Sequence, residues 1–352
     1  MSYERGMAAF NLEMTDRIPR TEYSAHRYWK LIDAVTGIKV DEKSLKAEQD
    51  KATSAFVKAW DYSYVWNVFV HSQYLNKCRT RMGHATFAAG GVDFNKEVSC
   101  PFKEPEECLT FDPIEVYGEV DERLALEKLN TNYREKCAAF PDAVNTTGTY
   151  ITLVSGLIDI FGWEMLLLAL AIDAKQFGKV ADRYTEWMMP FFRALADTDT
   201  PIVNVHDDIV WTSGAFVNPK WYREFVFPNY KKMFEPLKEA GKKIIYTSDG
   251  TFNEFVDDIA DCGVNGFVME PTTDMEYIAK RYGKTHSFVG NADTRILLTG
   301  TKEEIYNEVK RCVDIGKDCP GFFMAVGNHI PSNTPLENAL YYNEVFEKLS
   351  RR

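Results

Sequence analysis

Residues 201–250 read PIVNVHDDIVWTSGAFVNPKWYREFVFPNYKKMFEPLKEAGKKIIYTSDG. The stretch begins with a short apolar run that ends in His-Asp-Asp, and it closes with a second apolar run that ends in Ser-Asp-Gly. Between the two runs, residues 218–241 have the mixed apolar and charged spacing of an amphipathic helix. Two strands joined by a helix are typically parallel neighbours in one sheet, so the stretch predicts a strand–helix–strand unit.

The same alternation of apolar run and amphipathic stretch extends over the rest of the chain. Later runs lie at 264–271, 285–293 and 321–329, and earlier candidates lie at 17–24, 62–70 and 143–151. Together with 201–208 and 242–250, they give eight strands with intervening helices. This count predicts an α/β fold of the (β/α)8 TIM-barrel class, because an open doubly wound sheet would more often carry a GxGxxG turn, which the sequence lacks.

A segment after the second predicted strand interrupts this alternation. It contains CRTRMGHATFAAGGVDF and the pair Gly90-Gly91, which is typical of a β-hairpin. The sequence shows no linker, repeat or low-complexity tract that would mark a second domain. We therefore expect one (β/α)8 barrel domain over residues 1–352, with a β-hairpin inserted at about 77–113.

Composition restricts the environment and the partners of the chain. The formal net charge of −11 argues against nucleic acid and membrane-surface binding, both of which need clustered Lys and Arg. The seven cysteines form no CxxC pair, which favours reduced thiols. The longest apolar run, at 165–172, is shorter than the roughly 20 residues of a membrane span, and the first residues lack the apolar region of a signal peptide. We expect a cytoplasmic protein.

Polar residues cluster where the predicted strands end. In a barrel, these ends meet at the face where reactive groups gather. The residues are Glu22, His206, Asp207, Asp208, Asp249, Glu270, Asn291, Asp293, Asn328 and His329. Helix capping or a turn explains each one alone. Together, the carboxylates exceed what caps require, and such crowding needs a cation or hydrogen-bond donors to balance it.

Asp249, Glu270 and His329 form the predicted metal site. Two carboxylates and an imidazole suit zinc, or another divalent metal with an open coordination position. Asp293, Glu308 and His329 are a competing set with acid-x14-acid-x20-His spacing. We rank this set second, because Glu308 lies within a helical pattern, where a carboxylate more often faces solvent or pairs with Lys or Arg.

His206, Asp207 and Asp208 are predicted catalytic residues, together with Glu22 at the end of the first strand. An imidazole beside carboxylates is suited to moving a proton near neutral pH. The alternative is that one aspartate caps the following helix and that His206 is a packing residue. Serine-nucleophile chemistry is disfavoured, because the sequence has no GxSxG turn.

Four segments carry a family resemblance over nearly the whole chain. They are ERGMAAFNLEMTDRIPRTEYS, the stretch from VHDDI to TSDG, AKRYGKTHSFVGNAD, and GNHIPSNTPLENALYY. With these four segments in this order, the chain resembles the uroporphyrinogen decarboxylase superfamily. Within that superfamily it resembles the corrinoid-dependent methyltransferases, especially methyltransferase I of aryl-ether O-demethylase systems. The resemblance implies transfer of a methyl group from an aromatic methyl ether to the cob(I)alamin of a separate corrinoid protein, with a metal as Lewis acid.

Two departures from family patterns refine this expectation. An arginine-rich segment that holds substrate carboxylates in the decarboxylases is replaced here by PRTEYSAHRYW. The thiol-methylating members hold zinc with His-x-Cys-Gly and a later Cys, where this chain has Thr247-Ser248-Asp249-Gly250 and Asn328. Harder ligands favour an oxygen substrate over a thiol. The D-x-H-x-x-G cobalamin pattern is absent, which is consistent with a corrinoid that arrives on a partner protein.

Three other functions stay open at this point. One is a methylcobalamin-dependent methyltransferase with a different methyl donor or acceptor. Another is a decarboxylase like the superfamily's founding members, which needs no metal. The third, of a different class, is a non-catalytic protein that binds a corrinoid or tetrapyrrole. Crowded carboxylates argue against this last function.

Overall fold

The computed structural model of the chain describes residues 2–69, 75, 78–81, 86–88, 91–93 and 99–352. The β-strands are β1 Tyr64–Val65, β2 Thr86–Ala88, β3 Gly91–Asp93, β4 Val144–Asn145, β5 Thr147–Thr149, β6 Ile202–His206, β7 Val210–Trp211, β8 Gly214–Ala215, β9 Lys243–Ser248, β10 Gly266–Met269, β11 Ser287–Val289 and β12 Phe322–Phe323.

The α-helices are α1 Ser2–Phe10, α2 Trp29–Thr36, α3 Lys46–Ala59, α4 Pro105–Thr110, α5 Pro113–Tyr117, α6 Glu122–Ala139, α7 Val154–Ala196, α8 Pro219–Trp221, α9 Phe227–Glu239, α10 Val256–Asp261, α11 Met275–Tyr282, α12 Thr294–Thr299, α13 Lys302–Gly316 and α14 Leu336–Leu349. Short 3-10 helices lie at Ala25–Arg27 and Asn253–Phe255, and a π-helical turn lies at Tyr222–Val226.

The first of two compact units comprises Met1–Asn67, Tyr133–Thr146 and Asn265–Arg352. Within it, β10 pairs with β11 and β11 with β12, all parallel, and β1 pairs parallel with β4. Arg20 forms parallel bridges to both Met324 and Tyr62, so the predicted first strand joins the last strand to the second. Successive parallel neighbours of this kind are the arrangement that the sequence predicted for these runs.

The second unit comprises Val68–Asn132 and Thr147–Val264. Its strands β5, β6 and β9 are parallel neighbours, and every residue of β6 is buried. Parallel strands that are covered on both faces are apolar almost throughout, which explains the run that begins at Ile202. A short antiparallel hairpin, β7 with β8, follows β6 directly.

The segment predicted as an inserted hairpin contains an antiparallel pair, β2 with β3, within the second unit. Residues 77, 82–85, 89–90 and 94–98 of that segment lie outside the described residues. The insertion, and the assignment of residues 1–352 to a single barrel domain, stay predictions.

Helix α7 is long and apolar enough to span a membrane by length and composition, but half of its most apolar window is buried inside the protein. The backbone also leaves helical geometry at Gly162 and Asp173, so the element is a series of shorter helices. A buried, interrupted helix of this kind is typical of a protein core. Cytoplasmic localisation stays a prediction. All seven cysteines are free thiols, as expected.

Candidate functional site

Three predicted site residues of the second unit lie together at the carboxyl ends of β6 and β9. One ligand atom each from His206, Asp208 and Asp249 lies within 4.8 Å of the other two. His206 is paired with Thr247 in the strand register, so Asp208 and Asp249 each follow the paired positions by two residues. Parallel pairing therefore brings the two carboxylates to the same level beside the imidazole.

Contacts around His206 determine which ring nitrogen faces the carboxylates. Its Nδ1 lies 3.3 Å from the carbonyl oxygen of Tyr150, and because a carbonyl only accepts, this nitrogen carries the proton. The Tyr150 ring stacks on the imidazole with centroids 4.3 Å apart and planes 4° from parallel. Nε2 then faces Asp208, whose Oδ1 is 3.4 Å away. A backbone acceptor on the second nitrogen is the usual orientation for a metal-binding histidine.

Backbone contacts link the two aspartates of this cluster. Asp208 Oδ1 accepts the backbone N–H of Asp249 at 2.8 Å, and the Asp208 N–H donates to Ser155 Oγ at 2.7 Å. Gly250 follows with a φ of +82°, and a Cβ atom there would lie 2.7 Å from the Trp211 carbonyl oxygen. Only glycine fits this position, which lets the chain turn immediately after Asp249.

Excess negative charge marks the surroundings of the cluster. Burial, followed by the charges of Asp208, Asp249 and Asp159, raises the pKa of Tyr150 to about 12. A cation bound by the carboxylates would relieve this repulsion. Ligands that share one ion at about 2.1 Å lie at most about 4.2 Å apart, which is close to the 4.8 Å within which the three ligand atoms of the cluster lie. One imidazole and two carboxylates thus fit a divalent metal such as zinc.

Asp207 has a different environment from its neighbours. Its fully buried carboxylate accepts the backbone N–H groups of Leu153, Val154 and Ser155 and the hydroxyl of Tyr230. The three N–H donors lie at the start of α7, where the first N–H groups of a helix have no partner within the helix. Burial raises the pKa of Asp207. These contacts are those of a residue that positions the loop between β5 and α7, and the catalytic role of Asp207 stays a prediction.

Glu22, also predicted to be catalytic, lies in the first unit and is 2% exposed. Its Oε1 pairs with Arg20 Nη2 at 3.1 Å and accepts the Tyr342 hydroxyl at 2.7 Å, while its Oε2 accepts the Val326 N–H at 2.9 Å. Burial raises the pKa of Glu22, and the charge of Arg20 opposes that effect. These contacts tie the first strand to the last strand and to α14, and they support a structural role.

Glu270 and His329, predicted to share a metal with Asp249, lie in the first unit, whereas Asp249 lies in the second. Glu270 Oε1 accepts the side-chain amide of Asn328 at 2.6 Å. Burial, followed by the charge of Arg27, lowers the pKa of His329, which keeps its imidazole neutral. Neutral imidazole is the form that binds metals. The set Asp249, Glu270 and His329 stays a prediction.

The competing set is engaged in other contacts of the first unit. Asp293 accepts the Arg295 N–H at the start of α12 and pairs with the Arg295 guanidinium. Glu308 accepts the Asp293 N–H at 2.9 Å and pairs with Arg311 through both oxygens. Both carboxylates therefore already have cationic partners. Within the residues that the structure describes, the group with mutually close ligand atoms is His206, Asp208 and Asp249.

His26, which the sequence reasoning did not single out, is expected to make the stability of the protein depend on pH. Burial, followed by the charges of Arg27 and Lys136, lowers the pKa of His26 to about 3, whereas an unfolded histidine has a pKa of about 6.5. The unfolded state therefore binds the extra proton as pH falls below about 6.5. The free energy of unfolding should then decrease by about 1 kcal/mol per pH unit between about pH 6 and 4.

His26→Gln should remove this part of the pH dependence, because glutamine does not titrate. Urea denaturation of both proteins at several pH values measures it. If plots of the free energy of unfolding against pH run parallel for the two proteins, the assignment to His26 is contradicted.

Comparison with known proteins places these observations in a family. Residues 143–349 match the uroporphyrinogen decarboxylase (URO-D) family. A uroporphyrinogen decarboxylase of Thermus thermophilus is 27% identical over 51% of this chain and 53% of its own length. A methylated-thiol--coenzyme M methyltransferase of Methanosarcina mazei is 23% identical over 68% of this chain and 62% of its own length. The chain spans about half the length of the first of these relatives.

A solved structure covers far more of the chain. A methyltransferase from Methanosarcina mazei superposes with a TM-score of 0.63 and 19% identity, covering 99% of this chain and 98% of its own. With the parallel strands and helices described above, it confirms the predicted (β/α)8 barrel class. The molecule is thus a TIM-barrel protein with a candidate metal centre at its strand ends. It belongs to the uroporphyrinogen decarboxylase family, and its resemblance to the methyltransferase branch fits these comparisons.

Proposed function

We propose that this chain is a corrinoid-dependent methyltransferase that takes the methyl group from an aromatic methyl ether and delivers it to the cob(I)alamin of a separate corrinoid protein. The observation that carries the proposal is the ligand set His206, Asp208 and Asp249, which contains nitrogen and oxygen donors and no thiolate. The relatives named above include both a methyltransferase and decarboxylases. Among these, the hard ligands favour methyl transfer from oxygen.

Zinc is the metal that we propose for this cluster. His206 Nε2 and one oxygen each from Asp208 and Asp249 would hold it. When bound, such a metal acts as a Lewis acid on the ether oxygen, and carboxylate ligands leave it more positive charge than thiolates do. Asp249, Glu270 and His329 remain the alternative ligand set. The variants described in the Discussion distinguish the two.

The chemical difficulty of this reaction is its leaving group. The bond between the methyl carbon and the ether oxygen breaks, the oxygen keeps the electron pair, and the methyl group passes to cobalt. The oxygen that remains is a phenolate, whose conjugate acid has a pKa of about 10. Tyr150 has a pKa of about 12 and stays protonated at neutral pH, so its hydroxyl is available as a hydrogen-bond donor to a phenolate. Phenol then forms by protonation from solvent.

A donor panel tests the proposed function. The purified chain is mixed with a reduced corrinoid protein and, separately, with 2-methoxyphenol, a methylated thiol and a quaternary methylamine. Methylation of cob(I)alamin is followed by its absorbance. We expect turnover with the aryl ether and formation of the corresponding phenol. Turnover with only the thiol or the amine would support the methyltransferase class and refute the aryl ether as the methyl donor. If no donor gives turnover, both the methyltransferase class and the aryl ether donor are refuted.

Decarboxylation is the second candidate, because the Thermus thermophilus relative is a uroporphyrinogen decarboxylase. A substrate with many carboxylates needs cationic partners, and the strand ends of both units carry mainly acidic groups. We therefore rank it below methyl transfer. Release of carbon dioxide from uroporphyrinogen by protein stripped of metal would establish decarboxylation.

A further inference from the structure

Three aromatic side chains of the second unit form a cluster that is only partly covered. The Trp163 ring lies 5.5 Å from Trp211 and 5.1 Å from Phe216, and Trp211 lies 5.6 Å from Phe216, measured between centroids. These are ordinary distances for interacting aromatic pairs. Trp211 nevertheless remains 43% exposed. A large apolar ring that is held by two others and still faces solvent has one surface available for a ligand.

The backbone places this cluster beside the candidate metal centre. Trp211 follows Asp208 by three residues, so their Cα atoms lie at most about 10 Å apart. The Trp211 carbonyl accepts the Thr251 N–H at 3.0 Å, and the Thr212 carbonyl accepts the Thr251 hydroxyl at 2.9 Å. Thr251 follows Asp249 by two residues. The hairpin that carries Trp211 is therefore fastened to both loops that supply the carboxylates.

The hairpin is anchored by buried contacts on both sides of Trp211. Val210 is buried, and the preceding Ile209 carbonyl accepts the buried Tyr222 hydroxyl at 2.7 Å. Phe216, just after the hairpin, packs against the same Tyr222 ring with centroids 6.0 Å apart. Trp211 is thus exposed although the residues before and after it in the hairpin are held by buried contacts.

We propose that Trp211 is the residue that selects an aromatic ring in the substrate, by stacking its indole on the ring of the methyl donor. This inference rests on the proposed function and deepens it, because it assigns recognition of the aromatic part to one side chain outside the candidate metal ligands. Trp163 and Phe216 hold the indole in place. Aliphatic methyl ethers of the same size gain no such stacking and bind more weakly.

Binding measurements without any corrinoid test this assignment. Isothermal titration calorimetry of the full chain compares 2-methoxyphenol with its saturated analogue, 2-methoxycyclohexanol. Trp211→Leu keeps an apolar side chain without a π face and should weaken binding of the aromatic ligand roughly three- to tenfold. Trp211→Phe should restore most of that loss. Neither substitution should change binding of the saturated analogue.

Tyr306→Ala is the matched control, because Tyr306 is an aromatic residue of similar exposure, 37%, on α13 of the first unit. It should leave both affinities unchanged. Three results would overturn the proposal. One is equal affinity of wild type and Trp211→Leu for 2-methoxyphenol, and another is an equal loss of affinity for the saturated analogue in Trp211→Leu. The third is that 2-methoxyphenol does not bind to the wild type. If the ring binds through Trp211 but no methyl group reaches cobalt, the proposed function fails and the assignment of Trp211 stands.

Discussion

Asp249→Ala is expected to reduce methyl transfer at least about 100-fold and to remove the bound metal, while the protein stays folded. Asp249 supplies one of the three ligand atoms of the cluster with His206 and Asp208. A Lewis-acid metal contributes several kcal/mol to stabilisation of developing charge, and each 1.36 kcal/mol corresponds to a factor of ten in rate. The side chain is exposed, so its removal leaves the core unchanged. Steady-state kinetics and elemental analysis measure the two effects.

His206→Ala should show the same two losses, because the imidazole supplies the nitrogen ligand. Asp261→Ala is the matched control, since Asp261 is an exposed aspartate at the end of α10 in the same unit. It should keep both wild-type turnover and metal content. Loss of activity in Asp249→Ala with full metal occupancy would instead make Asp249 a proton-transfer or substrate-binding residue. Full activity without metal would refute the metal centre.

Glu22→Ala is expected to destabilise the fold by about 3–5 kcal/mol, the cost of leaving a buried charge without its partner. Arg20 is 1% exposed, and its guanidinium packs over the rings of Trp60 and Phe346 at 4.5 Å and 4.8 Å. Without Glu22, this cation loses its ion pair, and the Tyr342 hydroxyl and Val326 N–H lose their acceptor. Urea denaturation measures the change in the free energy of unfolding.

An exposed ion pair provides the comparison for Glu22. Arg17 pairs with Glu347 at 2.7 Å near the surface, and exposed pairs contribute about 0–1 kcal/mol. Glu347→Ala should therefore destabilise by less than about 1 kcal/mol. Equal, small effects of both substitutions would show that Glu22 is not needed for stability. Retained stability together with lost turnover in Glu22→Ala would return Glu22 to the catalytic role predicted from the sequence.

The strands were predictable because their apolar runs are buried on both sides. Runs such as 202–206 and 243–248 are strands in the structure, as the sequence predicted. Finer features were not predictable. The third run is divided at Thr146 into β4 and β5, and α7 leaves helical geometry at Gly162 and Asp173. These features depend on contacts with distant residues, such as the Thr146 hydroxyl with the Val65 carbonyl at 3.3 Å.

The location of the candidate site was predictable from the sequence, but the set of residues that form one cluster was not. Asp249 and His206 were singled out because they follow apolar runs. That they belong to one cluster depends on the register between β6 and β9, which separation along the chain does not reveal. Asp207 and Glu22 carry the same sequence signal as Asp208. Only their buried partners, Tyr230 for one and Arg20 for the other, distinguish these two carboxylates from Asp208, which is half-buried.

The central claim is a metal centre at His206, Asp208 and Asp249 that serves methyl transfer. The most direct measurement is an anomalous difference map from crystals of zinc-loaded protein, collected on both sides of the zinc absorption edge. The account predicts a zinc peak about 2.0–2.2 Å from His206 Nε2 and from one oxygen each of Asp208 and Asp249. A peak bonded to Glu270 and His329 without His206, or no peak at these residues, would contradict it.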